Sequence, residues 1–254
     1  MGNRRIKAIS GWEIVPVLLF LGLWELVARA SLLPARLLFP PFTVVMAEFY
    51  RLVAEGVLVK SFLSSLFRVL VGFSLGSLAG VIIGVLMGWR ELVRRALSPL
   101  ISLLYPIPAL GWLPLLMLWI GVNEILPIAV IFICSFFPIC YNTVTGIRGV
   151  DRRLVQAART LGASDLRVLF SVVLPLAIPN IFTGLRLEAG MAWRVIIAAE
   201  MVAIPTGIGA LMMRAESLMR VDVIIVCLMV LAMTCLLFER IFYYLERRFT
   251  EGWR

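Results

Sequence analysis

The chain has 254 residues, 62% of them hydrophobic and only 15% charged, with a mean hydropathy of +1.02. Soluble domains hold roughly 45–50% apolar and about 25% charged residues, so this composition describes an integral membrane protein. Its net charge of +9 comes from arginines set just outside apolar runs, where positive charge keeps loops on the cytoplasmic side, and nucleic acid is therefore excluded as a partner.

Residue chemistry narrows the field further. There is no histidine, and Lys7 and Lys60 are the only lysines. That rules out His-based triads, H-E-x-x-H zinc sites and a Walker A loop, whose lysine follows a Gly-rich turn. Cys134, Cys140, Cys227 and Cys235 lie in apolar runs without C-x-x-C spacing and read as small buried hydrophobes. Neither a catalytic residue nor a metal site nor a cofactor bound by this chain is expected.

In chain order, Arg4, Arg5 and Lys7 precede an apolar run, and Ala28-Arg29-Ala30 has the form of a signal-peptidase site. An uncleaved first span over 12–30 is preferred, since its length approaches the ~20 residues that a spanning helix needs. Further spans are expected over 62–88, 98–120, 125–147, 180–203 and 222–244, making about six transmembrane helices in one all-α domain covering 1–254. The N-terminus, 89–95, 148–179 and the C-terminus with Arg247, Arg248 and Arg254 are basic, whereas Gly121–Glu124 has no Lys or Arg. Both termini are therefore expected on the cytoplasmic side, with 31–61 and 204–221 outside.

The second span repeats glycine at 72, 76, 80, 84 and 88, a small-residue ridge that lets two helices approach closely and is expected to serve core packing. In the third, Pro106, Pro108 and Pro114 surround Ala109, Gly111 and Trp112. Each proline removes a backbone hydrogen bond, and irregular backbone at membrane depth survives only against protein or a water-filled cavity. The segment is expected to line or gate a path through Pro108, Ala109, Trp112 and Pro114; a kink serving packing alone is the alternative.

The longest cytoplasmic loop, 148–179, is patterned. Leu154, Ala157, Ala158 and Leu161 fall at i, i+3, i+4 and i+7, forming one apolar stripe on a short helix. Gly162 is placed to stop it, and Ser164 or Asp165 to cap a second helix that ends near Pro175. Periodicity leaves two readings open: an interfacial hairpin on lipid headgroups, or a docking element for a cytoplasmic partner.

Charge returns within the fifth span as Arg186, Glu188, Arg194 and Glu200, and charges inside spans mark paths, pairs or snorkelling ends. Arg186, Gly190, Trp193, Ile197 and Glu200 fall within about 40° of one line, with Glu188 opposite. Arg186 sits near the cytoplasmic end and reads as a snorkelling cation. Arg194, ~12 Å further along, is either half of an ion pair with Glu188, Glu200 or another helix's carboxylate, or a cation facing an anion's path. Glu200 reads as part of an outer gate, a docking surface or an ordinary interfacial carboxylate.

The spacing Gln156-Ala157-Ala158, three residues, Gly162, nine residues, Val172-x-Leu174-Pro175 resembles the EAA loop of membrane subunits of binding-protein-dependent ABC importers, written E-A-A-x3-G-x9-I-x-L-P, with Gln156 in place of Glu and Val172 in place of Ile. "LLFPPFTVV", "LLYPIPALGWLPLLMLWIGVNE", "GLRLEAGMAWRVIIAAEM" and "LERRFTEGW" look like the permeases of the nitrate, sulfonate, taurine and bicarbonate branch. The resemblance implies a type I ABC importer transmembrane-domain fold in a bacterial-type inner membrane. It also implies two permease copies, two ATP-binding cassette subunits holding ATP and Mg, and an extracytoplasmic substrate-binding protein. It assigns ATPase docking to Leu154, Gln156, Ala157, Ala158, Arg159, Leu161, Gly162, Ala163, Asp165 and Pro175. The expected function is inward, ATP-driven movement of a small polar solute, an anion such as nitrate, a sulfonate, taurine or bicarbonate, past Glu188, Gly190, Trp193, Arg194, Ile197 and Glu200. A gradient-driven secondary transporter using Glu188 and Glu200 is the competing class. An intramembrane enzyme with paired carboxylates is disfavoured by the missing histidine.

Overall fold

The computed structural model describes residues 11–30 and 38–250, so the basic residues Arg4, Arg5, Lys7 and Arg254 lie outside the described residues. Eleven α-helices follow in order among the described residues: α1 Gly11–Arg29, α2 Phe42–Ala54, α3 Val57–Trp89, α4 Glu91–Leu104, α5 Leu113–Ile120, α6 Ile125–Arg148, α7 Arg152–Thr160, α8 Asp165–Val168, α9 Leu174–Ala203, α10 Ile208–Ser217 and α11 Val221–Thr250. No strand is found among them.

Four stretches are long and apolar enough to cross a membrane: α3, α6, the continuous Asp165–Ala203, and Val221–Phe249. The bent α4–α5 pair makes a fifth when it is taken as one span, against the six apolar runs read from the sequence; the first of those runs falls on the 19-residue helix α1. Two boundaries differ. The expected third span over 98–120 is not one continuous helix, because α4 and the Ala109–Ile120 arm meet at 87°. Pro106 and Pro108 supply neither of the N–H groups that would carry the helix round, and the residue before each proline is driven away from helical backbone. The second helix of the 148–179 loop does not end near Pro175. It continues through a π turn, Leu169–Val173, into α9. The Leu174 amide reaches back to the Leu169 carbonyl, and this wider turn accommodates Pro175, whose ring would clash in a regular helix. At 1.5 Å per residue the 39-residue stretch is about 58 Å long, well beyond the ~30 Å hydrocarbon core, so its N-terminal turns project out of the membrane.

The core is assembled on α6, which packs between α3 and α9, while α11 covers the other side of α9. The α3 glycine ridge is what brings α3 onto α6, as expected. A Cβ at Gly76 would lie 2.7 Å from the Phe132 carbonyl oxygen, and one at Gly80 2.8 Å from that of Phe136. Across α9, the fully buried Trp193 stacks on Phe62 of α3 at 5.9 Å and meets Phe238 of α11 edge-on at 5.4 Å. Because the atom that Gly76 abuts is backbone, Gly76→Ala must push α3 away from α6. It is expected to cost about 1–3 kcal/mol by overpacking, seen as a lower thermal midpoint in detergent, whereas alanine at the open Gly22 leaves the midpoint unchanged.

Candidate functional site

Three sites follow one another across the membrane. At the end of the bundle that carries the 148–179 loop, α7 is capped at both termini. The Asp151 carboxylate accepts from the Arg153 amide at 2.8 Å. At the other end Gly162 takes φ +80°, its amide donates to the Arg159 carbonyl at 2.9 Å, and the Ala163 amide donates to the Ala158 carbonyl at 3.1 Å. These two bonds form a Schellman motif, which needs a left-handed residue at Gly162. Ser164 then caps α8, accepting from the Arg167 amide at 3.4 Å, and Arg159 bridges the turn to Asp165 at 2.9 Å.

The apolar stripe read from the sequence divides. Val155, Ala158 and Ala163 pack onto a cluster built from Val168, Leu169, Val173 and Ala177, and Pro175 is buried beside it. Leu154, Ala157 and Leu161 turn outward, with Leu161 88% and Leu154 48% exposed; Gln156 is exposed as well. The hairpin is thus anchored by one face of α7 and leaves the other uncovered.

Midway along α9 lies a cleft of about 290 Å³ between the Tyr105–Leu110 bend and Cys134, Phe137, Glu188, Met191 and Val195. Pro108 and Ala109 line it, Trp112 turns to a neighbouring cluster around Leu113 and Leu116, and Pro114 is exposed. Glu188 is 9% exposed, and the Cys134 thiol donates to its Oε2 across 3.6 Å.

At the opposite end of the bundle a charged network closes the fold. Arg68 on α3 is 2% exposed and Glu200 on α9 is 0% exposed. Arg68 Nη1 donates to Glu200 Oε1 at 2.6 Å and to the Thr206 carbonyl at 2.9 Å, while Nε donates to Glu124 Oε2 at 2.7 Å. The Ser65 hydroxyl, at 2.8 Å, and the Gly209 amide, at 3.0 Å, donate to Glu200 Oε2. Gly207, at φ +108°, leaves the space that the carboxylate fills, because a Cβ there would sit 2.3 Å from it. A buried pair is sustained only when its remaining hydrogen-bonding capacity is satisfied, and here backbone and hydroxyl groups do so.

The faces of α9 therefore carry other duties than the sequence reading assigned. Gly190, Trp193, Ile197 and Glu200 do share one face, and all are buried within the protomer, packed against α3 and α11. The ion pairs expected of Arg194 with Glu188 or Glu200 do not form, since Glu200 is held by Arg68 and Glu188 by Cys134. Arg194 is exposed, 3.5 Å from the Met191 sulfur, in a stripe with the exposed Leu187, Met191 and Val202. Arg186 reaches Glu246 of α11 at 3.0 Å. Sequence reasoning missed Arg68; a lone arginine inside the apolar run 62–88 was the available signal.

A family model for the inner membrane component of binding-protein-dependent transport systems matches residues 76–251. The chain belongs to that family. The permease is 32% identical over 253 residues to the Bacillus subtilis (strain 168) protein named for aliphatic sulfonates transport, SsuC, covering 100% of this chain and 90% of that one. It is 35% identical over 187 residues to the taurine transport system permease protein TauC of Escherichia coli (strain K12), covering 74% and 68%. Its fold is that of the MetNI methionine ABC transporter membrane subunit in an inward-facing structure, with a TM-score of 0.60 at 16% identity, covering 74% of this chain and 95% of the other. The permease is accordingly a multi-pass inner-membrane transport subunit with the type I importer transmembrane fold.

Proposed function

We propose that this permease is the membrane half of an ATP-driven importer in which the 148–179 segment is the EAA loop and α7 the coupling helix, docked by a separate ATP-binding cassette subunit that holds ATP and Mg. The observation that carries this is the outward face of α7. Leu154, Ala157 and Leu161 are exposed on a helix capped at both ends and fixed to α8 and the π turn by its opposite face. A small-residue surface at Ala157 admits a partner's groove, and a rigid helix leading through Gly162 into a 39-residue stretch transmits a push along α9 as a body movement.

The working assembly is two permease copies, two ATP-binding cassette subunits and an extracytoplasmic substrate-binding protein, with both termini cytoplasmic. Between the copies, Arg194 lies on the path, where a cation at membrane depth attracts an anion; its exposure on the α9 stripe supports this reading. Pro108, Ala109, Trp112 and Pro114 form the gate. The solute is a small polar anion; the names of SsuC and TauC make sulfonates and taurine the first to try. The gradient-driven alternative finds no support, because the Glu200 carboxylate is tied by three donors, the Ser65 hydroxyl, Arg68 Nη1 and the Gly209 amide.

The test is co-purification from native membranes. The parent chain is expected to bring down an ATPase with a Walker A loop, and Leu161→Asp, altering an exposed side chain, is expected to lose it while keeping the parent's elution profile. An ATPase retained by Leu161→Asp and by Leu154→Asp would place the docking site elsewhere.

A further inference from the structure

We propose that the Glu188 cleft is a subsite for a protonated amine, so that the solute carried is an amine-bearing anion; this rests on the importer reading above. Glu188 is nine-tenths buried and lies 15 residues, about 22 Å, below the outer end of α9, within the depth of the hydrocarbon core. A carboxylate there calls for a cation or a full set of donors. Among the described residues it forms no ion pair. Arg186 is engaged with Glu246 and Arg68 with Glu124 and Glu200, and Arg194 is turned toward Met191 and Cys235. A thiol is a weak donor, so the Cys134 contact at 3.6 Å leaves most of the carboxylate's accepting capacity unused.

The bend over 106–108 adds acceptors to the cleft. Of residues 106 to 108 only Ile107 carries an N–H, and that N–H is spent on the Leu104 carbonyl at 3.1 Å. Such a wall offers acceptors and aromatic faces, with Tyr105 and Phe137 both lining the cleft. That environment suits an ammonium group through carboxylate, carbonyl and cation–π contact and repels a bare anion. The cleft thus takes the amine end of the solute.

Cys134 is a built-in reporter, being in contact with Glu188. In the assembled transporter in lipid nanodiscs, with Cys140, Cys227 and Cys235 replaced by alanine, the rate at which N-ethylmaleimide labels Cys134 is measured with taurine or with ethanesulfonate, its amine-free counterpart. Taurine is expected to slow labelling about fivefold when present at a few times its Kd, ethanesulfonate to leave the rate unchanged, and Glu188→Gln to abolish the taurine effect. Equal protection by both probes, protection that survives Glu188→Gln, no protection by taurine, or a Cys134 that never reacts overturns the subsite. If binding protein still stimulates ATP hydrolysis in that sample, the importer reading stands; a chain that purifies with no ATPase overturns both.

Discussion

Replacing Arg68 by methionine is expected to destabilise the permease by about 3–5 kcal/mol, the cost of leaving one partner of a buried pair unmatched. Glu200, fully buried, keeps its bonds from Ser65 and Gly209 but loses its cation partner Arg68, and the Thr206 carbonyl loses a donor. Glu124 loses the same cation at little cost, because its side chain is 66% exposed and water replaces the guanidinium; Glu124→Gln should therefore fall within the roughly 0–1 kcal/mol of exposed pairs. The pair of variants Arg68→Met and Glu200→Gln combined removes the orphaned charge and is expected to recover about 1–3 kcal/mol of coupling energy. Thermal midpoints read by fluorescence-detected gel filtration separate the three. Arg68→Met behaving like Glu124→Gln would show that the network is a surface ornament and not the closure of that end of the bundle.

How much of this was readable beforehand depended on whether a feature is a property of one helix or of a meeting between helices. The long apolar runs of α3, α6 and α11 belong to single helices, and hydropathy finds them. So does the Gly162 stop, because the need for a left-handed residue is local. Helical periodicity likewise puts Gly190, Trp193, Ile197 and Glu200 on one face, but it says nothing of what that face meets. It meets α3 and α11, and a mixed charged and aromatic surface that resembles a path lining is core packing. The same limit applies to α7, where the stripe was found and its division into an anchored and an open side was not, since Val155 gains its partners from the π turn that follows. Prolines at 106 and 108 announce a break; the 87° angle depends on how the two arms pack against α6. Arg68 was overlooked because one charge barely changes the apolarity of the run around it. Its partners lie 56 and 132 residues away.

Substituting Gly162 by valine is expected to leave the permease inserted and folded while lowering ATP-driven uptake about tenfold. No atom lies within 4 Å of the position a Cβ would take at Gly162, and its φ is +80°, so the penalty is purely one of backbone conformation, roughly 1–2 kcal/mol for an L-residue in the left-handed region and worse for a β-branched one. That is too little to unfold a membrane domain whose hairpin is still held by Val155, Ala158 and Ala163. It is enough to favour a turn that gives up the two Schellman bonds and re-aims α7 relative to α8, since about 1.4 kcal/mol shifts a two-state equilibrium tenfold. Asparagine tolerates the left-handed region, so Gly162→Asn should retain most of the uptake, which separates backbone geometry from side-chain bulk at the docking surface. The assay is solute uptake into proteoliposomes holding permease, ATPase and binding protein, with ATP hydrolysis followed in parallel. Hydrolysis that continues while uptake falls in Gly162→Val means that the partner still docks and the push is lost in the turn. Uptake equal to the parent's means that the turn does not carry the push, and the contact between α7 and the π turn would then have to move α9 directly.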